Sequence, residues 1–201
     1  FFRIHYNSFY IYKFFIVDKG KRQILNAFSR YISPSVVEMI DTNKIAATLG
    51  GEKKELSILF SDIAGFTSIS EKMDTKSLFV LMTDYLSRMT DVLIEHQGTL
   101  DKYIGDAVMW FFGAPADDPF HAINACRTAV HMRRALDDFN NHLKEKNLDP
   151  IDFRVGIATG EVMVGNIGSE KRFNYTVLGD TVNLASRLEW MGKEYGVNVI
   201  I

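Results

Sequence analysis

The sequence predicts an α+β fold, because strand-like apolar runs are separated by two long segments with helical spacing. Residues 56–63 form the first of these runs. Thr99–Ile104 and Ala107–Phe112 are two more, and the Gly105-Asp106 pair between them is typical of a hairpin turn. The predicted order, strand-helix-strand-strand-helix-strand and then strand-helix-strand, indicates a ferredoxin-like βαββαβ core with a C-terminal βαβ extension.

Capping and breaking residues place the remaining elements. Asp74 or Thr75 caps a helix that runs to residue 96 and is closed by Gln97-Gly98, and Pro119 opens a second helix that runs to residue 146. Strands are predicted at residues 153–158, 162–167, 174–178 and 197–201, with a turn at 159–161. Asp180 is predicted to cap the last helix, which ends near Gly192 or Gly196.

Composition places the chain among ordinary globular proteins, with 47% hydrophobic and 24% charged residues. The net charge of −2 gives no global positive field that would indicate nucleic-acid binding. Cys126 is the one cysteine, so the chain has no intrachain disulfide. A reducing compartment is consistent with that count.

Two acidic turns carry the functional signal. Asp62 ends the first strand within the segment 60–67, and Asp106 lies in the hairpin turn. Taken alone, Asp62 is compatible with a helix cap and Asp106 with a plain turn. In a ferredoxin-like sheet, however, the first strand and the central hairpin are neighbours, so both carboxylates meet at one edge. Two adjacent carboxylates repel each other unless a cation lies between them, which indicates a site for divalent metal ions.

A third segment, 175–187, completes a pattern that resembles the class III nucleotidyl cyclases, the adenylate and guanylate cyclases, from about Leu56 onward. The resemblance implies that Asp62 and Asp106, helped by the Ile63 carbonyl, hold two Mg²⁺ or Mn²⁺ ions. Gly65 permits a tight turn that presents the following residues, Phe66 and Thr67, to the phosphates of the substrate.

The resemblance also assigns the groups that recognise the base and the phosphates. Lys102 and Thr176 read the base, and an ammonium donor suits the N1 acceptor of adenine rather than the N1–H of guanine. The Thr176 hydroxyl can accept or donate, so on its own it does not discriminate. Asn183 orients the ribose and Arg187, four residues later on one helix face, neutralises the α-phosphoryl group. Arg154 matches a triphosphate contact.

In this family the metal aspartates and the base-reading residues meet across a head-to-tail dimer, and this chain carries both sets. The resemblance therefore implies a homodimeric adenylate cyclase that converts ATP to cyclic AMP and pyrophosphate. The alternatives are a guanylate cyclase and a non-catalytic nucleotide-binding or dimerisation module. The resemblance places a further triphosphate-binding lysine beyond residue 201.

The N-terminal residues differ in composition from the rest. Residues 1–31 hold ten aromatic side chains and six basic ones against one acid, Asp18. The aromatic run at 9–17 is shorter than the about 20 apolar residues that span a bilayer. Its basic flank fits the cytoplasmic exit of a membrane helix, and packing against a partner chain fits equally. We therefore divide the chain into a membrane-proximal or sensor-proximal segment (1–20), a helical signal-transducing segment and linker (21–54) and a cytoplasmic cyclase domain tethered to the inner membrane face (55–201).

The linker is placed at residues 41–55, which are polar and contain glycine. Before it, residues 24, 25, 28 and 32 lie on one helical face, and Ser33-Pro34 opens a short helix to Ile40.

Overall fold

The computed structural model describes residues 32–42 and 48–201. The predictions for residues 1–31 and 43–47 lie outside the described residues. The chain divides into two units, 1–46 and 47–201, and each is described by itself. In the first unit, helix α1 (Pro34–Asp41) begins after Ser33 with proline in its first turn, as predicted. No helix in the described ranges is both long and apolar enough to cross a bilayer.

The second unit is built on one sheet. Its strands are β1 (Gly50–Ile63), β2 (Thr99–Ile104), β3 (Ala107–Phe112), β4 (Phe153–Ser169), β5 (Arg172–Leu178) and β6 (Val199–Ile200). Its helices are α2 (Phe66–Lys72), α3 (Thr75–Glu95), α4 (His121–Glu145) and α5 (Asp180–Tyr195). The strand order is β2-β3-β1-β4-β5 with antiparallel neighbours, and β6 pairs with β4 in parallel. The predicted ferredoxin-like core is confirmed, since its strands lie in the order 2-3-1-4.

Helices cover both faces of this sheet. On one face, Tyr85 of α3 and Phe139 of α4 pack against Trp110, and all three side chains are fully buried. On the other face, Ala185 of α5 packs with the apolar side chains of β1, β3, β4 and β5, among them Phe111. Because β1 and β3 are buried on both sides, they read in the sequence as continuous apolar runs rather than as alternating ones.

Two predicted strand boundaries are wrong. β1 begins at Gly50, so residues 50–55, which were assigned to the linker, pair with β4. β4 is one strand of 17 residues rather than two strands joined by a turn at 159–161. Gly160, which suggested this turn, instead lets helix α5 pack closely against β4. A Cβ at this position would lie 2.7 Å from Thr181 Oγ1 of α5.

Close packing also fixes the position of α5. A Cβ at Gly156 would lie 2.2 Å from the Ala185 carbonyl oxygen and 2.2 Å from the Glu189 nitrogen. The backbone of α5 therefore rests directly on β4, which brings the polar residues of this helix to the end of the sheet where β1 stops.

The helix ends match the predictions with one exception. The Asp74 carboxylate caps α3 by accepting from the amides of Lys76 and Ser77. Helix α4 begins two residues after Pro119. The cap of α5 is Gly179 and not Asp180, which is the first helical residue and makes no capping bond. The helix ends at Gly196, whose φ of 63° is the left-handed conformation that glycine favours.

Candidate active site

The two acidic turns meet at one edge of the sheet. The register of β1 and β3 ends at Ser61 opposite Val108, so Asp62 is next to the β2–β3 turn that holds Asp106. The two carboxyl groups lie close enough that the charge of Asp62 acts on Asp106. The strand order therefore brings together the residues for which the sequence predicts a common cation site.

The electrostatics of this pair fit a cation. Burial, first, and then the neighbouring negative charge of Asp62 together raise the pKa of Asp106 to about 7. A divalent cation between the two groups would offset their mutual repulsion. Carboxylate and carbonyl oxygens are the ligands that Mg²⁺ and Mn²⁺ prefer. In the part of the chain that the structure describes, no cluster of three or more His, Cys, Asp or Glu residues offers a larger site.

Arg154 occupies a place that the sequence did not predict. Its Nη2 atom lies 3.0 Å from Asp62 Oδ2, and its Nε lies 2.9 Å from Glu189 Oε1. The strand register places Arg154 directly opposite Asp62, so a basic residue adjoins this carboxylate. Sequence reasoning missed Glu189, although its spacing of four from buried Ala185 indicates the packed face of the helix.

The partly buried carboxyl of Glu189 adds to the charge balance. Burial raises the pKa of Glu189, and the Asp62 charge raises it too, whereas the adjoining Arg154 guanidinium lowers it. Arg154 therefore pairs with two carboxylates, those of Asp62 and Glu189, while Asp106 has no salt bridge to a basic residue among the described residues.

The cation site gives a testable stability prediction. Because the pKa of Asp106 is raised from 3.8 to about 7, ionising it opposes folding, and stability is lost as pH rises through that window. Without metal, Asp106→Asn is expected to melt about 3 °C higher than the unmodified protein at pH 8, with no such gain at pH 5. This corresponds to about 1 kcal/mol after discounting for solvent screening. Added Mg²⁺ or Mn²⁺ is expected to raise the melting temperature of the unmodified protein but not that of Asp106→Asn.

The matched control is Asp117→Asn, which removes an exposed carboxylate paired with Lys54. We expect its response to metal to equal that of the unmodified protein. If the melting difference between Asp106→Asn and the unmodified protein does not change between pH 5 and pH 8, the pKa of Asp106 is not raised to about 7.

The two residues predicted to read the base lie together. Lys102 Nζ is 3.2 Å from Thr176 Oγ1 and 2.9 Å from Asp101 Oδ1. Thr176 donates a short hydrogen bond to the other oxygen of Asp101. The Asp101 side chain is fully buried at 0% exposure, while Lys102 remains 41% exposed. Sequence reasoning missed Asp101, whose part depends on a register shift in β2 between Leu100 and Lys102.

The residues assigned to ribose and phosphate lie on an open surface. Asn183 and Arg187 are exposed on α5, and Arg187 Nη2 is 3.8 Å from Asp180 Oδ1. Leu184 between them is 41% exposed. This face is therefore accessible to a second molecule.

Phe66 and Thr67 open the short helix α2 directly after Gly65. Gly65 has a φ of 71°, the left-handed conformation that the sequence assigned to it. Phe66 packs against the main core and Thr67 is exposed. The phenyl ring of Phe66 is thus partly structural, and the hydroxyl of Thr67 faces solvent.

The arrangement of the sheet and the site matches a known family. The sequence profile of the adenylate and guanylate cyclase catalytic domain matches residues 50–200. The chain belongs to this family. The match extends from the first residue of β1 to the last residue of β6, so the entire sheet is the cyclase catalytic domain.

Named relatives of the cyclase domain include enzymes for both purine nucleotides. Adenylate cyclase 1 of Rhizobium meliloti (strain 1021) is 38% identical over 148 residues, 74% of this chain and 22% of that protein. The structure of the guanylyl cyclase Cya2 is 41% identical with a TM-score of 0.67 and covers 71% of this chain and 72% of its own. The structure of the adenylyl cyclase CyaB from P. aeruginosa is 38% identical with a TM-score of 0.68. The match covers 71% of this chain and 74% of the CyaB chain.

The chain spans between 8% and 36% of the length of the first three curated relatives that it matches. Since both adenylyl and guanylyl cyclases resemble it to similar degrees, the choice of base has to be argued from the residues of the site.

Proposed function

We propose that the cyclase domain is an adenylate cyclase, which forms cyclic AMP and pyrophosphate from ATP by in-line attack of the ribose 3′-oxygen on the α-phosphorus. The observation that carries this proposal is the Lys102–Thr176 pair, held at 3.2 Å. Lys102 presents only donors, which suits the N1 acceptor of adenine and opposes the N1–H of guanine.

The paired carboxylates of Asp62 and Asp106 support the chemical step. Class III cyclases require divalent metal, and we assign two Mg²⁺ or Mn²⁺ ions to Asp62 and Asp106 with help from the Ile63 carbonyl. Bound cations lower the pKa of the 3′-hydroxyl and stabilise the charge on the leaving pyrophosphate. The chain contributes the pair of carboxylates, which adjacent strand ends set close together.

Three further positions act on ribose and phosphate in this proposal. Asn183 orients the ribose, and Arg187 neutralises charge at the α-phosphoryl group; both are exposed on α5. Arg154 contacts the triphosphate, and its place beside Asp62 supports this role. Because Arg154 also pairs with Glu189, it has to exchange protein carboxylates for phosphate when the substrate binds. The turn before Phe66 and Thr67 faces the phosphates.

A homodimer with head-to-tail catalytic domains completes the site. One chain gives Asp62 and Asp106, and the other gives Lys102, Thr176, Asn183 and Arg187. The exposure of Asn183 and Arg187 supports this assignment, because these groups are open to a partner. The basic and aromatic composition of residues 1–20 supports an upstream membrane or sensor segment, with the cyclase domain on the cytoplasmic side.

Direct product analysis tests the proposal. The full-length protein, incubated with ATP and Mg²⁺ or Mn²⁺, is expected to form cyclic AMP and pyrophosphate in equal amounts, and a chelator should stop both. GTP in a parallel reaction should give much less cyclic product. Cyclic GMP as the main product would indicate a guanylate cyclase. Nucleotide binding without either cyclic product would indicate a non-catalytic module.

A further inference from the structure

We propose that Asp101 sets the choice of adenine by fixing the direction in which the Thr176 hydroxyl hydrogen-bonds. This inference rests on the proposed function, since it concerns how the same site recognises the base of ATP. Three contacts carry it: the bond from Thr176 to Asp101, the bond from Lys102 to Thr176 at 3.2 Å, and the ion pair of Lys102 with Asp101 at 2.9 Å.

A threonine hydroxyl has one proton to donate and two lone pairs that accept. The Thr176 hydroxyl donates its one proton to Asp101 Oδ2. One lone pair receives the Lys102 ammonium. The remaining lone pair can only accept, so Thr176 offers an acceptor to whatever binds beside it.

This polarity matches adenine and opposes guanine. The exocyclic amine of adenine donates a hydrogen bond, and the acceptor on Thr176 receives it. Guanine carries a carbonyl oxygen at the same place, and two acceptors facing each other leave both without a partner. Thr176 without Asp101 could serve either base, whereas Thr176 with Asp101 serves adenine.

Asp101 also positions Lys102 to favour adenine. Lys102 donates one hydrogen bond to Thr176, and its ammonium lies 2.9 Å from Asp101 Oδ1 as an ion pair. A further ammonium proton remains for the N1 acceptor of adenine. The Asp101 side chain is fully buried and Lys102 is 41% exposed, so the acid lies behind the pair and the lysine faces outward. Asp101 is therefore a positioning residue that acts through its two neighbours.

A local irregularity in β2 allows Asp101, Lys102 and Thr176 to form this triad of contacts. Consecutive residues of a strand normally point to opposite faces, yet Asp101 and Lys102 both contact Thr176. The register shift between Leu100 and Lys102 is a bulge, and a bulge re-aims a side chain in this way. The triad also joins β2 and β5, which are the two ends of the strand order. A purely structural tie between these strands is thus the rival explanation.

The test uses Asp101→Asn and three nucleotides in the full-length protein. Asparagine can donate its amide proton to Thr176, which frees the hydroxyl proton to face the base. Purine riboside triphosphate lacks the exocyclic group, and inosine triphosphate carries the carbonyl. We expect kcat/KM for ATP relative to purine riboside triphosphate to fall by about tenfold, and the relative use of inosine triphosphate to rise. A purely structural role would lower all three values together and leave their ratios unchanged.

Two further variants keep the test decisive. Thr176→Val retains the shape of the side chain without the hydroxyl, and should also lower the ATP to purine riboside ratio by about tenfold. Adding Asp101→Asn to it should change that ratio no further, because the group that Asp101 orients is gone. Asp117→Asn, in the exposed pair with Lys54, is the matched control and should keep the original ratios.

If Asp101→Asn fails to fold, the Thr176→Val ratio decides. Unchanged ratios in every folded variant, with ATP still converted to cyclic AMP by the unmodified protein, would overturn the role of Asp101 and leave the proposed function standing. An unmodified protein that forms no cyclic AMP would overturn the proposed function, and this inference with it.

Discussion

Asp62→Asn is expected to lower kcat for cyclic AMP formation by at least about a hundredfold, since it removes a ligand charge from the proposed cation site. Asp106→Asn should have an effect of the same size. The two carboxyl groups lie at adjacent strand ends, so each variant leaves a single carboxylate for two cations. In Asp62→Asn, the Arg154 guanidinium also loses the partner that lies 3.0 Å away. Initial rates over a range of Mn²⁺ concentrations provide the measurement.

The size of the effect distinguishes catalysis from folding. Both variants retain the shape of the side chain, and melting temperatures should confirm that the domain remains folded. Asp117→Asn removes a surface carboxylate that is 90% exposed, and should retain the original rate. If either Asp62→Asn or Asp106→Asn keeps more than a few per cent of the rate at saturating metal, the assignment of the cation ligands is wrong.

Local signals predicted the parts of the fold that local residues determine. The hairpin of β2 and β3 has the predicted bounds, because the Gly105-Asp106 turn and two apolar runs specify it without help from elsewhere. The Asp74 cap of α3 likewise depends on amides two and three residues away. The meeting of Asp62 and Asp106 followed from the strand order, which the sequence of elements determines.

A glycine that was interpreted as a turn explains the main error in the predicted fold. A glycine inside an apolar run reads as a turn or as a place of close approach, and the sequence does not separate the two uses. Gly160 looked like a turn, but its neighbour in space is Thr181, which is 21 residues away in the chain. The unbroken β4 therefore depends on the packing of α5, which no local pattern contains.

The same reason explains the residues missed at the site. Glu189 reaches Arg154 across 35 residues, and Thr176 reaches Asp101 across 75. Arg154 was recognised from the family pattern, but its pairing with Asp62 depends on the register of β1 and β4. Asp101 depends in addition on a bulge, which shifts the register by one residue without leaving a mark in the sequence. Residue types were predictable at these positions, and partners were not.

Mixing two inactive variants is expected to restore activity, because the proposed active site takes its parts from two chains. Asp62→Ala lacks a cation ligand, and Arg187→Ala lacks the phosphoryl-neutralising cation. In either homodimer both sites carry a defect. In a mixed dimer the two defects fall in one site, and the other site is intact. The exposure of Arg187 on α5 is the structural reason to expect that it works in the partner's site.

The recovered rate tests the central claim, that this chain is an adenylate cyclase whose two sets of site residues meet across a homodimer. With random exchange at equal amounts, about half of the dimers are mixed and each has one intact site, so cyclic AMP formation should reach about a quarter of the unmodified rate. Subunit exchange is verified with differently tagged chains, and Asp62→Ala mixed with Asp106→Ala, which lie in the same set, is the matched control that should stay inactive. Recovery to about a quarter in the first mixture alone is the predicted result. No recovery after verified exchange, or equal recovery in both mixtures, would contradict the shared site.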